Sequence, residues 1–257
     1  MSRDGIRELE ALEPRISAWL DAAVARHAPL SFRDLRKGVQ GLSHRYVERR
    51  TDAKALADAL GAPARRAAFS TYYAALHFMQ AFLAAHAFPA WIGVDRVVDL
   101  GAGTGAVGLG ASLALAAPVP VLAVDRSGWA LAEARRAGRD WGVPVRTRRH
   151  DLARGLPRVG PGDGVTAGWF LNELPERARD AAADGLAAAS ARGARLILLE
   201  PLAGPVAPWW DDLVGRLELD ARELRARVAR PRWIADMDRA AGLDHGELRA
   251  RIAGPRA

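Results

Sequence analysis

Short apolar segments alternate with longer amphipathic segments through the middle of the chain. The apolar segments are rich in Val, Leu, Ile and Ala, as expected for strands buried on both faces of a parallel sheet. Between them, apolar residues recur at helical spacing. Strands are predicted at residues 97–100, 119–125, 143–147, 165–170 and 195–199, and helices at 129–141 and 176–191. This alternation predicts a doubly wound, Rossmann-like α/β fold.

The C-terminal part of the chain contains one pattern twice. Residues 223–231 read Glu-Leu-Arg-Ala-Arg-Val-Ala-Arg-Pro, and residues 247–255 repeat them with Ile for Val and Gly for the last Arg. Apolar residues alternate with arginine in both copies, a period of two that suits half-buried strands. The copies, with a helix at 231–242 between them, are predicted to complete a seven-stranded, mostly parallel sheet with one antiparallel strand. A helix remains an alternative for either copy, since Glu, Leu, Arg and Ala favour helices.

The N-terminal region, residues 2–62, is predicted to be helical. Apolar residues recur there at helical spacing, and Pro14 is expected to break or kink the run. A turn is predicted at residues 38–41. A further short helix is predicted to begin at Thr51 or Asp52, because both residue types cap helix N-termini. We therefore expect two parts, a helical cap or lid formed by residues 1–90 and a ligand-binding domain formed by residues 91–257.

Composition narrows the possible functions. The chain has 257 residues and no cysteine, which excludes disulfides, thiolate nucleophiles and zinc ribbons, and we expect no metal site. The most apolar region, residues 74–94, contains His77, Gln80 and Pro89, so we expect no membrane span. We expect a cytoplasmic protein. We also expect it to be a monomer or a homodimer.

The net charge of +7 invites a nucleic-acid-binding interpretation. Lys37 and Lys54 are the only lysines, however, and the many arginines are accompanied by abundant Ala, Gly and Pro. This preference for arginine, alanine, glycine and proline fits the codon usage of a GC-rich genome. The arginines are also scattered among acidic residues, which does not favour a nucleic-acid-binding surface. An RNA-facing surface remains the alternative.

A glycine-rich turn follows the first predicted strand and precedes a helix. It comprises Asp99, Gly101, Ala102, Gly103 and Gly105. Glycines allow a sharp bend and close contact with a ligand, and the following helix N-terminus favours an anionic group. The turn also satisfies G-x-G-x-x-A, the dinucleotide-binding pattern, and a tight turn without a ligand is the third interpretation.

The spacing D-x-G-x-G-x-G resembles the loop of class I S-adenosylmethionine (SAM) methyltransferases. This resemblance implies SAM as cofactor, with its methionine carboxylate at the helix N-terminus and Asp99 on its ammonium side. Asp125 ends the second predicted strand 24 residues after Gly101, close to the usual spacing for a carboxylate that holds both ribose hydroxyls, and Arg126 follows it. Asp151 and Leu152, after the third strand, are candidates for contact with the adenine. An N-cap or turn role for Asp151 is the alternative.

The end of the fourth predicted strand is where class I methyltransferases place the acceptor. Phe170, Asn172 and Glu173 lie there and are candidate site residues. The segment differs from the N-P-P-Y/F loop used for exocyclic base amines, which disfavours that chemistry. If the acceptor must lose a proton, the candidate general bases are Glu173, His150 and Glu200, and the sequence does not rank them.

The segment Arg66–Ala75 combines basic and aromatic residues just before the first strand. In this fold class such a segment often closes over the SAM methionine. Two adjacent tyrosines cannot share one helix face, so we expect Tyr73 to reach the methionine end or the acceptor, with Arg66 available to the carboxylate. Amphipathic packing of Tyr72 and Tyr73 is the alternative.

Three stretches resemble one branch of these enzymes, the methyltransferase-like family associated with the mitochondrial small ribosomal subunit, and its bacterial relatives. They are residues 66–75, residues 98–105, and residues 169–175 (W-F-L-N-E-L-P) with 199–201 (L-E-P). Longer members carry cysteines that suggest a metal or iron–sulfur site, which this chain lacks. We favour a small-molecule or peptide acceptor. The alternatives are rRNA or a ribosomal protein as acceptor, a SAM-fold ribosome-assembly factor without turnover, and a nicotinamide dehydrogenase.

Overall fold

The computed structural model describes residues 3–48, 61–202 and 207–256 and contains one seven-stranded sheet. The strand order is β3-β2-β1-β4-β5-β7-β6, and β7 runs antiparallel to both of its neighbours. The predicted doubly wound fold and the predicted pair of C-terminal strands are confirmed. The strands are β1 (Arg96–Leu100), β2 (Val121–Asp125), β3 (Val145–Arg149), β4 (Asp163–Gly168), β5 (Arg195–Glu200), β6 (Asp220–Ala226) and β7 (Leu248–Gly254).

Helices cover both faces of the sheet, and five of those in the described residues precede β1. The fourth helix continues through a π-helical segment, Phe69–Tyr73, into the fifth without a break. The helices are α1 (Arg3–Ala11), α2 (Glu13–Arg26), α3 (Phe32–Glu48), α4 (Pro63–Ala68), α5 (Ala74–Ala87), α6 (Ala106–Leu113), α7 (Gly128–Trp141), α8 (Glu176–Ala191), α9 (Trp210–Arg216) and α10 (Arg232–Ala241). The predicted break near Pro14 is confirmed, because α1 ends at Ala11 and Pro14 lies in the first turn of α2.

The sheet register determines which segments meet. Leu100 of β1 pairs with Val124 of β2, so the glycine turn and Asp125 leave the sheet side by side. Glu200, the last residue of β5, pairs with Arg251 of β7, so the N-terminal end of the antiparallel β7 lies at the same edge. Ligands of open α/β sheets bind at this carboxyl edge.

The N-terminal helices pack on one face of the sheet and share its hydrophobic core. Side chains of α1 to α5 belong to the same buried cluster as side chains of β1, β5 and β7. Trp19 of α2 contacts Phe78 of α5 and Trp141 of α7, with ring centroids 5.7 and 5.8 Å apart. Residues before 90 therefore supply a core layer, and their function as a lid stays a prediction.

The N-terminal region differs from one of its local predictions. The predicted turn at residues 38–41 is wrong, because α3 continues through it. Gly38 is used for close helix packing instead: a Cβ there would lie 2.1 Å from the carbonyl oxygen of Ala64 in α4. The predicted helix beginning at Thr51 or Asp52 lies outside the described residues.

No helix in the described part of the chain is both long and apolar enough to span a membrane. Within the same ranges, no three His, Asp or Glu side chains are grouped so that they could hold a metal ion.

Candidate functional site

The glycine turn between β1 and α6 depends on backbone conformations that favour glycine. Gly103 and Gly105 have φ angles of 51° and 79°, and Gly105 is the N-cap of α6. A Cβ on Gly105 would also lie 2.9 Å from the Ala134 side chain of α7. The Ala102 amide donates to the carbonyl oxygen of Val124 in β2 at 3.1 Å. The turn is therefore held in place while leaving the N-terminus of α6 at the carboxyl edge.

Asp99 is buried and hydrogen-bonded within the fold. Its side chain is only 1% exposed, and its two carboxylate oxygens accept hydrogen bonds from the Thr166 hydroxyl at 2.8 Å and the Gly108 amide at 2.9 Å. Burial raises the pKa of this carboxyl to about 7, although these two hydrogen bonds oppose the rise. The expected contact with a cofactor ammonium group is not favoured by this geometry, because both oxygens face the interior. Asp99 ties β1 to β4 and α6.

Asp125 lies beside the glycine turn, as its position in the sequence predicts. One carboxylate oxygen accepts from the Gly103 amide at 2.9 Å, and the other accepts from the Ser127 amide at 2.7 Å. The side chain is partly exposed. Asp125 therefore presents a carboxylate at the opening between β1 and β2, within reach of a ligand that lies across the turn.

Two aromatic side chains cover the turn. A Cβ on Gly101 would lie 2.5 Å from the Phe170 ring, and a Cβ on Gly103 would lie 3.1 Å from the Phe69 ring. Phe170 follows β4, which ends at Gly168 and not at residue 170 as predicted. The chain turns there through Trp169, whose φ angle is 52°. Phe69 begins the π-helical segment, a type of helix distortion often found at functional sites.

Phe69, and not Tyr73, is the residue of the aromatic segment that contacts the glycine turn. The Tyr73 hydroxyl donates at 3.4 Å to the carbonyl oxygen of Val39 in α3, so the preference for Tyr73 as a cofactor contact is not supported by this geometry. The Arg66 guanidinium lies over the Trp129 ring of α7, 5.5 Å from its centroid. This contact places Arg66 near the segment that follows Asp125, and its predicted contact with a carboxylate stays a prediction.

Glu173 is influenced by charged groups of both signs. Its side chain is exposed to solvent, yet enough protein surrounds it that desolvation raises its pKa to about 7. The positive charge of Arg126 opposes this rise, and the negative charge of Asp125 adds to it. The structure thus brings together three of the predicted site residues, Asp125, Arg126 and Glu173.

Glu200, the last residue of β5, is buried against Asn172 in the short 3-10 helix that follows β4. Glu200 is 0% exposed, and one of its carboxylate oxygens accepts from the backbone N–H of Asn172 at 3.3 Å. Its other oxygen and the side-chain oxygen of Asn172 are buried and have no hydrogen-bond partner among the described residues. Burial raises the pKa of Glu200 well above its ordinary value, and nearby Glu173 adds to the rise. Glu200 therefore cannot reach an acceptor without a rearrangement.

The candidate site residues that follow β3 make contacts with neighbouring parts of the chain. The His150 imidazole Nε2 is 2.8 Å from the carbonyl oxygen of Gly155. The Asp151 side chain accepts from the Ala153 amide at 3.1 Å and caps a short 3-10 helix, in agreement with the alternative interpretation. Leu152 is buried in the core. Contact of Asp151 or Leu152 with an adenine stays a prediction.

Sequence reasoning missed one cluster at the carboxyl edge. Tyr72 donates to the carboxylate of Asp238 in α10, and the His245 imidazole lies 2.9 Å from the same oxygen. Nearby, His77 stacks on Trp169, with ring centroids 4.0 Å apart and an interplanar angle of 14°. No local motif signals this cluster, because its members come from distant parts of the chain.

Comparisons with known proteins bear only on architecture. No family model and no curated protein matches the chain. The chain is similar to the N-methyltransferase NodS from Bradyrhizobium japonicum WM9 in complex with S-adenosylhomocysteine (TM-score 0.48, 12% identity, 70% of this chain and 88% of that chain). It is also similar to magnesium protoporphyrin IX methyltransferase ChlM from Synechocystis PCC 6803 with bound SAM (TM-score 0.45, 18% identity, 70% and 78%). A third similar structure is ribosomal protein L11 methylase from Lactobacillus delbrueckii subsp. bulgaricus (TM-score 0.44, 15% identity, 69% and 77%). Likeness at this level assigns neither cofactor nor acceptor.

Proposed function

We propose that this protein is a SAM-dependent methyltransferase. The observation that carries the proposal is the position of Asp125, whose carboxylate lies 2.9 Å from the backbone nitrogen of Gly103 at the carboxyl edge of the sheet. A carboxylate on the second strand beside a glycine turn on the first is suited to a ligand that combines an anionic end with a ribose.

Each side of this cleft fits a different part of SAM. The N-terminus of α6 favours the methionine carboxylate, since its N-cap residue, Gly105, has no capping side chain and the first amides of a helix carry a partial positive charge. Asp99 accepts from one of these amides, that of Gly108, from inside the fold. The carboxylate of Asp125 can accept hydrogen bonds from ribose hydroxyls. Phe69 and Phe170 supply apolar walls beside the turn, where a side chain on Gly101 or Gly103 would have no room.

The sheet order disfavours the dehydrogenase alternative. Dinucleotide-binding folds have the strand order 3-2-1-4-5-6. Here an antiparallel β7 lies between β5 and β6. The D-x-G-x-G-x-G spacing of the turn points in the same direction.

Bound SAM would supply an activated methyl group. Methyl transfer is an in-line displacement that needs little covalent help, so residues of the chain would act by aligning the acceptor and excluding water. The partly exposed aromatic side chains of Phe69, Tyr73, His77 and Trp169 would provide the walls of the acceptor pocket. Aromatic walls of this kind suit a small molecule or a peptide side chain. These are the acceptors that we favour.

Isothermal titration calorimetry of SAM, S-adenosylhomocysteine and NAD tests the proposal. Asp125→Ala removes the acceptor of ribose hydrogen bonds and is expected to weaken SAM binding by about 1–3 kcal/mol. Asp180→Ala, an exposed aspartate of α8, is the matched control and should bind as wild type does. Tighter binding of NAD than of SAM, or unchanged SAM affinity in Asp125→Ala, would contradict the proposal.

An rRNA or ribosomal-protein acceptor, or a non-catalytic assembly function, is the second candidate. It is favoured by the edge strand β3, on which Arg146 and Arg148 are exposed. Arginines on an exposed edge can neutralise phosphates, and binding of that kind weakens steeply as salt rises. We expect only weak, salt-sensitive RNA binding by the isolated chain. Nanomolar binding to one rRNA fragment that persists at physiological salt would make this candidate the leading one.

A further inference from the structure

Three distant segments bring a histidine, an aspartate and a tyrosine together. His245 precedes β7, Asp238 lies in α10, and Tyr72 lies in the π-helical segment before α5. The His245 Nδ1 atom is 2.9 Å from Asp238 Oδ1 and 2.7 Å from the Tyr72 hydroxyl, and Tyr72 also donates to Asp238 Oδ1. Asp238 and Tyr72 are buried, whereas a third of the His245 side chain is exposed.

The hydrogen bonds of Asp238 determine which nitrogen of His245 carries the proton. Oδ2 of Asp238 accepts from the guanidinium of Arg230 and from the backbone amide of His245. Burial opposes ionisation, but the hydrogen bonds from His245 and Tyr72 hold the pKa of Asp238 below its ordinary value, so it is a carboxylate and only accepts. Tyr72 donates its single proton to Oδ1. The imidazole must therefore face that oxygen with Nδ1–H, which leaves a lone pair on Nε2.

This arrangement is that of an oriented general base. A carboxylate that accepts from one imidazole nitrogen fixes the ring and its tautomer, and it stabilises the imidazolium formed when the other nitrogen takes a proton. Arg230 and Tyr72 hold the carboxylate in turn. In the described chain, no hydrogen bond is made to Nε2, and the exposed part of the ring gives it access to solvent or a ligand.

The position of His245 places this base beside the proposed acceptor pocket. The N-terminal end of β7 lies at the carboxyl edge, the same edge as the glycine turn. Burial lowers the pKa of His77 to about 3, which keeps His77 neutral and suits its ring to the wall of an apolar pocket. His77 stacks on Trp169, which follows β4, and its ring centroid is 6.4 Å from that of Phe69 at the turn. The Tyr73 ring lies 6.1 Å from that of His77 and 5.1 Å from that of Tyr72, and the Tyr72 ring lies 5.6 Å from that of His245, centroid to centroid. Aromatic rings thus connect the turn to the histidine.

We propose that His245 is the general base for an acceptor hydroxyl carried on an aromatic ring, and that Asp238, Tyr72 and Arg230 are positioning residues. This inference rests on the proposed methyltransferase function. The acceptor O–H proton passes to Nε2 of His245. The oxygen electron pair then forms a bond to the methyl carbon, and the bond between that carbon and sulfur breaks with its electrons remaining on sulfur. The imidazolium returns its proton to water through its exposed part.

The test uses 4-nitrophenol with the S-adenosylhomocysteine complex, at a pH at which free nitrophenol is mostly protonated. A base beside the hydroxyl converts the bound phenol to phenolate, and the visible absorption of phenolate reports this. His245→Asn keeps an N–H donor to Asp238 but removes the outward nitrogen, so it should fold and lose about tenfold or more of the bound phenolate. His86→Gln is the control, since His86 also lies near a carboxylate, 3.4 Å from Glu8, at the far end of α5.

The outcomes separate the two proposals. If wild-type protein does not bind S-adenosylhomocysteine by calorimetry, the proposed function fails, and this inference fails with it. If S-adenosylhomocysteine binds but nitrophenol stays protonated or unbound, only this inference fails. The same holds if His245→Asn gives as much bound phenolate as wild type. Nitrogen-15 NMR of the His245 ring gives an independent readout. The Nδ1–H tautomer is expected, and an Nε2–H tautomer would overturn the assignment.

Discussion

The two halves of the proposed site, a cofactor half and a histidine half, are built in different ways. The cofactor half consists of backbone groups and one carboxylate from β1, α6 and β2, which are consecutive in the chain. The histidine half consists of side chains from the π-helical segment, α10 and the residues before β7. Backbone turns tolerate few substitutions, because their conformation itself requires glycine. A side-chain cluster depends instead on the packing of several elements against one another.

Gly103→Val is expected to have the largest effect, and it tests the backbone-built half. Gly103 has a φ angle of 51°, and its Cβ would lie 3.1 Å from the Phe69 ring. A branched side chain would strain the turn and fill the space beside it, so we expect no measurable SAM binding by calorimetry.

Gly215→Ala in α9 is the matched control for that substitution, because a Cβ there has no neighbour within 4 Å and the backbone is helical. It should bind SAM as wild type does. Wild-type affinity in a folded Gly103→Val protein would show that the ligand does not lie across this turn.

Asp99→Asn tests whether the turn is tied to the sheet by a buried carboxyl. The pKa of Asp99 is raised to about 7 in the folded protein, so the folded state holds the proton more tightly than the unfolded state. Its contribution to stability is therefore present at low pH and is lost as the pH rises from about 4 to about 7. Urea unfolding should show the free energy of unfolding of wild type, relative to that of Asp99→Asn, falling over this range by an amount on the order of 3 kcal/mol.

The Asn variant should lose the part of that pH dependence that Asp99 causes. Glu173 and Glu200, whose pKa values are also raised, contribute in the same direction, so a slope remains. Asp180→Asn controls for removal of an exposed carboxylate. An unchanged slope in Asp99→Asn would contradict a raised pKa at this position.

Phe69→Ala probes the contact between the N-terminal helices and the glycine turn. The side chain is partly buried against Gly103, so its loss removes an apolar wall from the cofactor half. We expect SAM affinity to fall by about 1–2 kcal/mol, with a smaller loss of thermal stability. Titration calorimetry measures the first and differential scanning fluorimetry the second. Equal SAM affinity in the variant and in wild type would show that the N-terminal helices do not act as a lid over the cofactor site.

Tyr73→Phe is expected to have the smallest effect and completes the comparison within one segment. The hydroxyl contacts Val39 in α3 and not the turn, so its loss should cost about 0.5–1.5 kcal/mol of folding stability. SAM affinity should stay at the wild-type value. A drop in affinity without a loss of stability would restore Tyr73 as a cofactor contact.

The N-terminal helices illustrate where prediction from sequence was incomplete. The sequence indicates their helical spacing, but it does not indicate against which elements they pack. Leu9, Trp19 and Leu35 are almost fully buried in the core that includes β1 and β5. Deleting residues 1–60 would expose that core, so point substitutions such as Phe69→Ala separate lid function from stability better than truncation does.

Local pattern by itself determined the strands, the glycine turn and the C-terminal strand pair. Periodicity, glycine spacing and the position of Asp125 are properties of short segments, and their physical causes act within those segments. The helix at 176–191 was predicted with the bounds it has in the structure. The continuous helix through Gly38 was not predictable, because this glycine allows close contact with α4, an element outside the segment.

Only the tertiary structure decided which side chains meet at the carboxyl edge. Asp99 looks like a ligand contact in the sequence, but Thr166 and Gly108 enclose it. His245 has no motif around it, yet Asp238 and Tyr72 orient it. The physical reason is that a side chain's hydrogen-bond partners and exposure depend on elements that are distant in sequence, whereas helix, strand and turn preferences depend mainly on near neighbours.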